Sequence, residues 1–465
     1  MPAGTCRDPS GHVFNRDGEI YRRVNTSYAE HYDALVDSGL LEQLVDRRLL
    51  VGHEEVSSFD SPDPAPHRTL RPERISFISY PYEWSFSQLK DAALTTLEIH
   101  DVALRHGMTL KDATPYNIQF RQGRAIFIDT LSFERYVEGS SWVAYRQFCQ
   151  GFLAPLALMA MVDVRLGQML RVHLDGVPLD LASAMLPART WLVPALLLHL
   201  HMHARYQTRY KDAGAVRPDG TKAGTAPSVR PMSKTAQIAL IDGIRRAIQK
   251  LTWTPAGTEW ADYYSAESYQ DQALADKKTV VQEMLGSVEP GKVWDIGANT
   301  GVYSRLAAEA GHGVISFDVD PACVEQNYRI VREKKEPGVL PLLLDLVNPP
   351  PGSGWAHEER ESLADRADAD VVLALALVHH IAISNNVPLR MIAEYFARLA
   401  PKLIIEFVPK SDPKAATLLA TRDDVFPSYT QDGFEEAFGA VFDIEESRAI
   451  RESQRVLYRM TRRLA

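Results

Sequence analysis

Apolar residues recur along this chain in two rhythms, and the rhythm changes near residue 290. In the first half the pattern is mixed. Gly18 to Val24 reads as a short strand, and Tyr28 to Leu50 as a helical segment. His67 to Tyr80 ends in Ile75-Ser-Phe-Ile-Ser-Tyr80, a second strand, and Leu89, Ala93, Leu94, Leu97 and Val102 repeat at helical spacing from Ser87 to His106. A hairpin follows over Ile118–Phe120 and Arg124–Asp129, and residues 142–210 are mostly helical. Beyond residue 290 the pattern becomes regular. Apolar runs near 292–296, 313–318, 339–344, 370–376 and 402–408 alternate with helical stretches near 302–310, 321–334, 357–366 and 387–399. Such alternation gives a parallel sheet with helices on both faces, and any ligand belongs at the carboxyl ends of its strands.

Between the halves, residues 211–235 are rich in glycine, proline and small polar types and read as a linker. After it, Ala236–Leu251 and Ser268–Leu285 read as helices. The expected organisation is a first domain over 1–210, the linker, and a second domain over 236–465 with a helical lead-in over 236–290. At 465 residues the chain is too long for one core, so composition adds class rather than count. A net charge of -9 argues against a protein that coats nucleic acid. Cys6, Cys149 and Cys323 are far apart with no CxxC pair, so neither a disulfide framework nor a zinc site is expected, which fits a reducing cytoplasm. The apolar run Trp191–Leu198 is too short to span a bilayer. His199, His201 and His203 cannot all face one ligand from a helix and are expected to be packed or solvated.

The chemistry concentrates in Val293-Trp-Asp-Ile-Gly-Ala-Asn-Thr-Gly301. A buried strand feeds a tight turn, and Gly297 and Gly301 let a ligand lie on the backbone, with the amides of the following helix start as donors. Asp295 stands before the first glycine. A carboxylate there repels pyrophosphate and suits a cationic or amino-bearing ligand. Asp295 to Gly301 resembles the first motif of class I methyltransferases, acid-x-Gly-x-Gly-x-Gly, with Asn299 in place of the middle glycine. The resemblance implies S-adenosylmethionine as cofactor, held by Asp295, Gly297, Ala298, Asn299 and Gly301. It implies a ribose-binding acid ending the next strand, Asp318 with Val319, rather than Asp320, since Pro321 opens a helix. It implies a third acid near the adenine amino group, Asp345 with the Leu346 backbone. The closing stretches Val441–Glu445 and Gln454–Met460 resemble the antiparallel hairpin that ends the seven-stranded, doubly wound Rossmann-like sheet of that family. Tyr263, Tyr264, Tyr269 and Lys277 would line a cover over the methionine end, or pack in the core.

For methyl transfer the protein must chiefly align an acceptor in line with the methyl carbon. The run Asp370-Val-Val-Leu-Ala-Leu-Ala-Leu-Val-His-His380 brings His379 and His380 to the active face, and either is a candidate base. Glu406 is the other acid expected there, and Lys410 would neutralise an anionic acceptor. Asn348-Pro-Pro350 follows the third strand rather than the fourth, so it gives no support to a DNA substrate. The expected acceptor is a small molecule taking the methyl on oxygen or nitrogen.

In the first half, Asp112 lies five residues before Asn117, and Asp129 closes the hairpin twelve residues later. This spacing resembles the catalytic loop of protein kinases and aminoglycoside phosphotransferases, and implies an α+β kinase-like domain with a nucleotide and magnesium at those three residues. The departures are a missing glycine-rich loop, Asp129-Thr-Leu-Ser in place of Asp-Phe-Gly, and Arg22 or Arg23 where a strand lysine is expected. They point to a degraded site. As a whole the chain is similar to long bacterial methyltransferase-like proteins labelled nodulation-related. Two rival readings remain: a bifunctional enzyme that also transfers phosphate, and a cofactor-binding regulator without turnover.

Overall fold

A computed structural model describes residues 8–57, 65–205, 231–255, 271–420 and 423–463. The chain forms two units, one of residues 1–254 with 353–360, the other of residues 255–352 with 361–465.

The first unit opens with an antiparallel sheet of β1 (Gly11–Arg16), β2 (Glu19–Val24), β3 (His53–Val56) and β4 (Arg68–Pro72), in the order β1-β2-β4-β3. Asp17 and Gly18 join β1 to β2, both with positive φ (54° and 83°), the conformation a two-residue hairpin needs. The helix expected over 28–50 is two helices, Ala29–Asp37 and Leu40–Asp46, because Gly39 takes φ 73° and breaks the ladder. The strand expected at Ile75–Tyr80 does not form. Instead the Gln119 side chain accepts from the Ser79 amide at 2.9 Å and donates to the Ser79 carbonyl at 2.9 Å, doing alone what a partner strand would do. The helix Phe86–Arg105 starts at a capping box, Ser85 with Gln88, and is buried along most of its length. β5 (Met108–Leu110) pairs with β8 (Phe133–Arg135), and β6 (Ile118–Arg121) with β7 (Arg124–Phe127).

The helix Lys234–Lys250 belongs to this first unit, so the lead-in expected over 236–290 is divided. Lys90 Nζ donates to the carbonyls of Gln249 (2.9 Å) and Leu251 (2.7 Å), tying that helix to Phe86–Arg105. Most of the expected linker lies outside the described residues.

The second unit is a seven-stranded sheet: β9 (Lys292–Ile296), β10 (Gly313–Asp318), β11 (Val339–Leu343), β12 (Val371–Ala374), β13 (Lys402–Phe407), β14 (Phe442–Ala449) and β15 (Val456–Arg462), in the order β11-β10-β9-β12-β13-β15-β14. β9 to β13 run parallel, and β15 is antiparallel to both its neighbours. The order reverses between β9 and β12, which places the binding crevice at their carboxyl ends. Val293, Val314, Val371, Leu373 and Ile404 form one core with Val281, Met284 and Leu285 of the helix Asp271–Gly286. No helix forms over 357–366. Gly354 has φ 81°, Ala356 and His357 follow at 53° and 62°, and Ser353 and Arg360 exchange backbone hydrogen bonds at 3.0 and 3.1 Å, closing a loop that a helix cannot enter. Helices at Pro413–Leu419 and Gln431–Gly439 were not read from the sequence. Among the described residues no helix is long and apolar enough to cross a membrane.

The three histidines near 200 are packed. His199 Nδ1 lies 2.7 Å from the Tyr145 hydroxyl, His203 stacks on the Tyr145 ring, and His201 meets Ser183 (2.7 Å) and Thr190 (2.9 Å). Burial lowers His100 to about 3 and, with His203 nearby, His199 to about 4. Both stay neutral in the fold and protonate first in the unfolded chain, so their contribution is present above the ordinary histidine value and is lost as pH falls below it. At ~1.4 kcal/mol per pH unit for each such group, the thermal unfolding temperature of the first unit's transition is expected to drop by about 5 °C or more between pH 7 and 5.5. Calorimetric scans showing no change over that range would contradict this.

Candidate functional site

β9 delivers Asp295 to the sheet's carboxyl edge, and the chain then turns sharply through Gly297 (φ 80°), Asn299 (φ 52°) and Gly301 (φ 79°). Asparagine tolerates the left-handed region better than most residues, which is why it can stand at the middle position. At Gly301 a Cβ would also lie 2.5 Å from Asn327 Oδ1, so no side chain fits. The amides of the turn itself, ahead of the helix Val302–Glu309, are already engaged. Those of Gly297 and Ala298 both donate to the Phe317 carbonyl at 2.9 Å, and Asn299 donates to Asp318 Oδ2 at 2.7 Å. Thr300 donates to Asn299 Oδ1 and Gly301 to the Ala298 carbonyl. The turn is a self-satisfied frame, and carboxylates are what it carries.

Asp295 is 2 % exposed and accepts from Ser304 Oγ at 2.6 Å. Burial pushes its carboxyl up to about 7, with the nearby Asp318 adding to the rise. Asp318 ends β10 and takes the Asn299 amide on one oxygen and the Asp320 amide (2.8 Å) on the other; burial still lifts it to about 6. Asp320 caps the helix Pro321–Lys334 through the Ala322 amide at 2.8 Å, consistent with a structural task. Val319 is exposed beside Asp318. Asp345 follows β11, exposed, its Oδ1 held by the Val347 amide at 3.0 Å, and Leu346 is half-buried. The Leu344 amide donates to the Asp318 carbonyl at 2.9 Å, which keeps the ends of β10 and β11 in step.

After β12, His379 and His380 lie with ring centroids 4.1 Å apart. His379 is 1 % exposed, and its Nδ1 finds no hydrogen-bond partner among the described residues. Burial, His380, Arg455 and Lys277 together hold it well below the ordinary imidazole range. His380 is lowered to about 4 by burial, then by Arg455 and Lys414. Glu406 is fully buried at the end of β13. Its Oε2 takes Lys277 Nζ at 2.6 Å and its Oε1 faces Arg455 Nη1 at 3.5 Å. Burial pushes this carboxyl upward, but the two cations outweigh burial and leave it below the usual carboxylate range. Arg455 in turn grips Asp412 at 2.7 and 3.1 Å.

Arg455 and Asp412 were missed in the sequence, where neither sits in a motif. Their only signal is a charge pair flanking β13 and β15. Lys277 does reach this face, 5.0 Å from the Tyr303 ring, whereas Tyr263, Tyr264 and Tyr269 lie outside the described residues. Lys410 does not serve the site as expected. Its ammonium is bound to both oxygens of Asp424 at 2.8 Å and to the Phe426 carbonyl.

In the first unit, Asn117 and Asp129 do come together. Asn117 Nδ2 donates to Ser132 Oγ at 3.1 Å, and Ser132 Oγ donates to Asp129. The other Asp129 oxygen is taken by the Arg22 guanidinium, whose pKa burial lowers to about 10, and by the Leu131 amide at 3.3 Å. Asp112 braces its own loop, accepting from the Thr114 amide at 3.1 Å. Among the described residues no cluster of histidine, cysteine or carboxylate side chains has the makings of a metal site. Arg360 lies over the Tyr116 ring of the same loop at 4.3 Å.

No protein-family model matches the chain. Nodulation protein NoeA of Rhizobium meliloti (strain 1021) is 35% identical over 471 residues, covering 99% of this chain and 96% of that protein. Three solved structures share part of the chain. Magnesium protoporphyrin IX methyltransferase from Synechocystis PCC 6803 with bound SAM is 17% identical over 43% of this chain and 89% of its own, TM-score 0.30. The N-methyltransferase NodS from Bradyrhizobium japonicum WM9 is 9% identical over 42% and 99%, TM-score 0.32. WbdD is 14% identical over 46% and 46%, TM-score 0.29. Likenesses this slight do not bear on function.

The Lys277–Glu406 pair yields a stability test. Lys277→Met leaves the buried Glu406 carboxylate with Arg455 alone, at 3.5 Å, and is expected to cost about 3 kcal/mol in denaturant unfolding, while Lys277→Met with Glu406→Leu recovers most of that loss. Equal losses in the single and double variants would show that the pair is not what stabilises this face.

Proposed function

The chain belongs to the family of nodulation protein NoeA, and from that premise we propose that its second unit binds S-adenosylmethionine and transfers the methyl group to a small-molecule oxygen or nitrogen acceptor. The observation that carries this reading is the electrostatics of the turn. Its amides are spent internally, while two buried carboxyls, Asp295 and Asp318, stand at the ends of adjacent strands with raised pKa values. Such a site disfavours pyrophosphate and gains from a ligand that brings positive charge and hydroxyl donors. The sheet order, with its antiparallel edge hairpin, and the succession of Asp295, Asp318 and Asp345 after β9, β10 and β11 support the same resemblance.

In this reading Asp318 accepts from the ribose hydroxyls and Asp345 with Leu346 meets the adenine edge. Asp295 lies toward the amino-bearing end, and the bare backbone of Gly297 and Gly301 lets the nucleoside approach. When bound, the sulfonium supplies an activated methyl carbon. The chain's own task is to exclude water and align the acceptor beside His379 and His380. Glu406, bound by two cations, positions Lys277 and Arg455 and does not act as a base.

For the first unit we infer a kinase-like shape without phosphoryl transfer. The antiparallel sheet, the long helix Phe86–Arg105 and the β6–β7 hairpin between Asn117 and Asp129 support the shape. The Arg22 guanidinium on Asp129 argues against the activity, because it holds the carboxylate that magnesium would need.

Titration calorimetry tests both parts. S-adenosylmethionine and its demethylated product should each bind with a saturable isotherm, and Asp318→Asn should weaken both by about tenfold or more. No heat with either nucleoside would end the assignment. Magnesium-ATP at millimolar concentration should give none, and saturable binding that Asp129→Ala abolishes would restore the bifunctional reading.

A further inference from the structure

Asp295 stands at the end of a row of hydrogen bonds that begins at a guanidinium. Arg305 Nη2 donates to Asn327 Oδ1 at 2.9 Å. Asn327 Nδ2 donates to Ser316 Oγ at 2.8 Å, Ser316 and Ser304 meet at 2.9 Å, and Ser304 Oγ reaches Asp295 Oδ2 at 2.6 Å. β10 sets Ser316 directly across from Asp295, and Asn327 comes from the middle of the helix Pro321–Lys334. The bare Gly301 lets the row close, since a Cβ there would lie 2.6 Å from Asn327 Nδ2 and 2.8 Å from Arg305 Nη1. Ser304, Ser316 and Asn327 are all buried. Glu336 accepts from Arg305 Nε at 3.0 Å, and Arg305 Nη1 holds the Thr300 and Gly301 carbonyls at 2.7 and 2.9 Å.

The direction of the row follows from which atoms carry protons. A guanidinium only donates, so Asn327 turns its oxygen to Arg305 and its amino group to Ser316. Each serine has one proton. With Asp295 ionised, the Ser304 proton goes to the carboxylate and the Ser316 proton to Ser304, so every donor points toward Asp295. A proton on that Asp295 oxygen would turn the Ser304 proton onto Ser316, which already accepts from Asn327. The Ser316 proton would then be left over, because among the described residues Ser316 Oγ meets only Ser304 and Asn327. The row therefore favours the carboxylate, while burial favours the acid. From the other elements around Asp295, Asp318 of β10 raises its pKa, Lys277 of the helix Asp271–Gly286 lowers it, and β12 sets apolar Leu373 opposite.

Resting on the methyltransferase reading, we propose that Ser304, Ser316, Asn327 and Arg305 are positioning residues for S-adenosylmethionine, a one-way relay that holds Asp295 ready to ionise when the ligand's positive charge arrives. None of the four needs to touch the ligand. Their effect reaches it through the charge of one carboxyl, so it depends on pH, which a purely structural brace would not.

The full-length protein labelled with carbon-13 at the aspartate carboxyl carbon provides the test, with Asp295→Asn assigning the resonance. In the apoprotein this resonance should titrate at about 7. Ser316→Ala and Asn327→Leu should each raise that midpoint by about one pH unit. An unmoved or lowered midpoint in either folded variant would overturn the proposal. S-adenosylmethionine affinity is read separately by calorimetry. Ser316→Ala should weaken it about fivefold at pH 7, where fewer sites are ionised, and leave it within about twofold at pH 9. An equal loss at both pH values would mark a packing defect and overturn the positioning role. No binding by the unsubstituted protein, with the midpoint shift intact, would end the methyltransferase reading and leave the relay standing.

Discussion

A carboxyl group removed from water and given no cation of its own dominates the second unit. Asp295 is met by the hydroxyl and the backbone amide of Ser304 and by Lys277 at a distance, but burial and a second carboxyl close by outweigh them, so its ionised form is costly in the fold. The surrounding turn does not relieve that cost. Its amides secure Phe317, Asn299 and above all Asp318, which receives the Asn299 and Asp320 amides at once. The left-handed conformations at Gly297, Asn299 and Gly301 follow from this arrangement, because only such a path lets the backbone wrap its donors inward. On the proposed reading, the missing positive charge is the ligand's.

On the far side of β9 the logic is reversed. Glu406 and Asp412 are also buried, yet each is met by a cation, and burial of the pair is offset by direct contact. Lys277 stands between the two regimes, in contact with Glu406 and within electrostatic reach of Asp295. One sheet edge thus carries two acids that no cation binds, Asp295 and Asp318, beside two that are each bound by at least one, Glu406 and Asp412.

Much of this was readable from the chain because it is local. The apolar runs at 292–296, 313–318 and 402–408 became β9, β10 and β13 nearly residue for residue, since a strand buried on both faces leaves an uninterrupted apolar signature. The acid-and-glycine spacing of the first turn was equally plain. What escaped were pairings across long separations. Arg455 meets Asp412 from 43 residues away and Glu406 from 49, and no motif announces either. Gln119 replaces a strand opposite Ser79, so an apolar run at 75–80 looked like a strand and is not. Gly39 and the Ser353–Arg360 closure broke two expected helices, where apolar spacing outvoted a single glycine in the reading but not in the fold. In the first unit the trio Asp112, Asn117 and Asp129 was legible by spacing. That Arg22, noted only as an odd residue in a strand, would occupy Asp129 became visible only in three dimensions.

The most direct test of the account is proton release on binding S-adenosylmethionine, measured by calorimetry at pH 7 in buffers of differing ionisation enthalpy. With Asp295 near its midpoint at about 7, a cationic ligand should drive it to the carboxylate and expel roughly half a proton per site, an effect that Asp295→Asn abolishes. Binding with no proton release, or release that survives that substitution, would contradict the claim that this buried acid is what the ligand's charge completes.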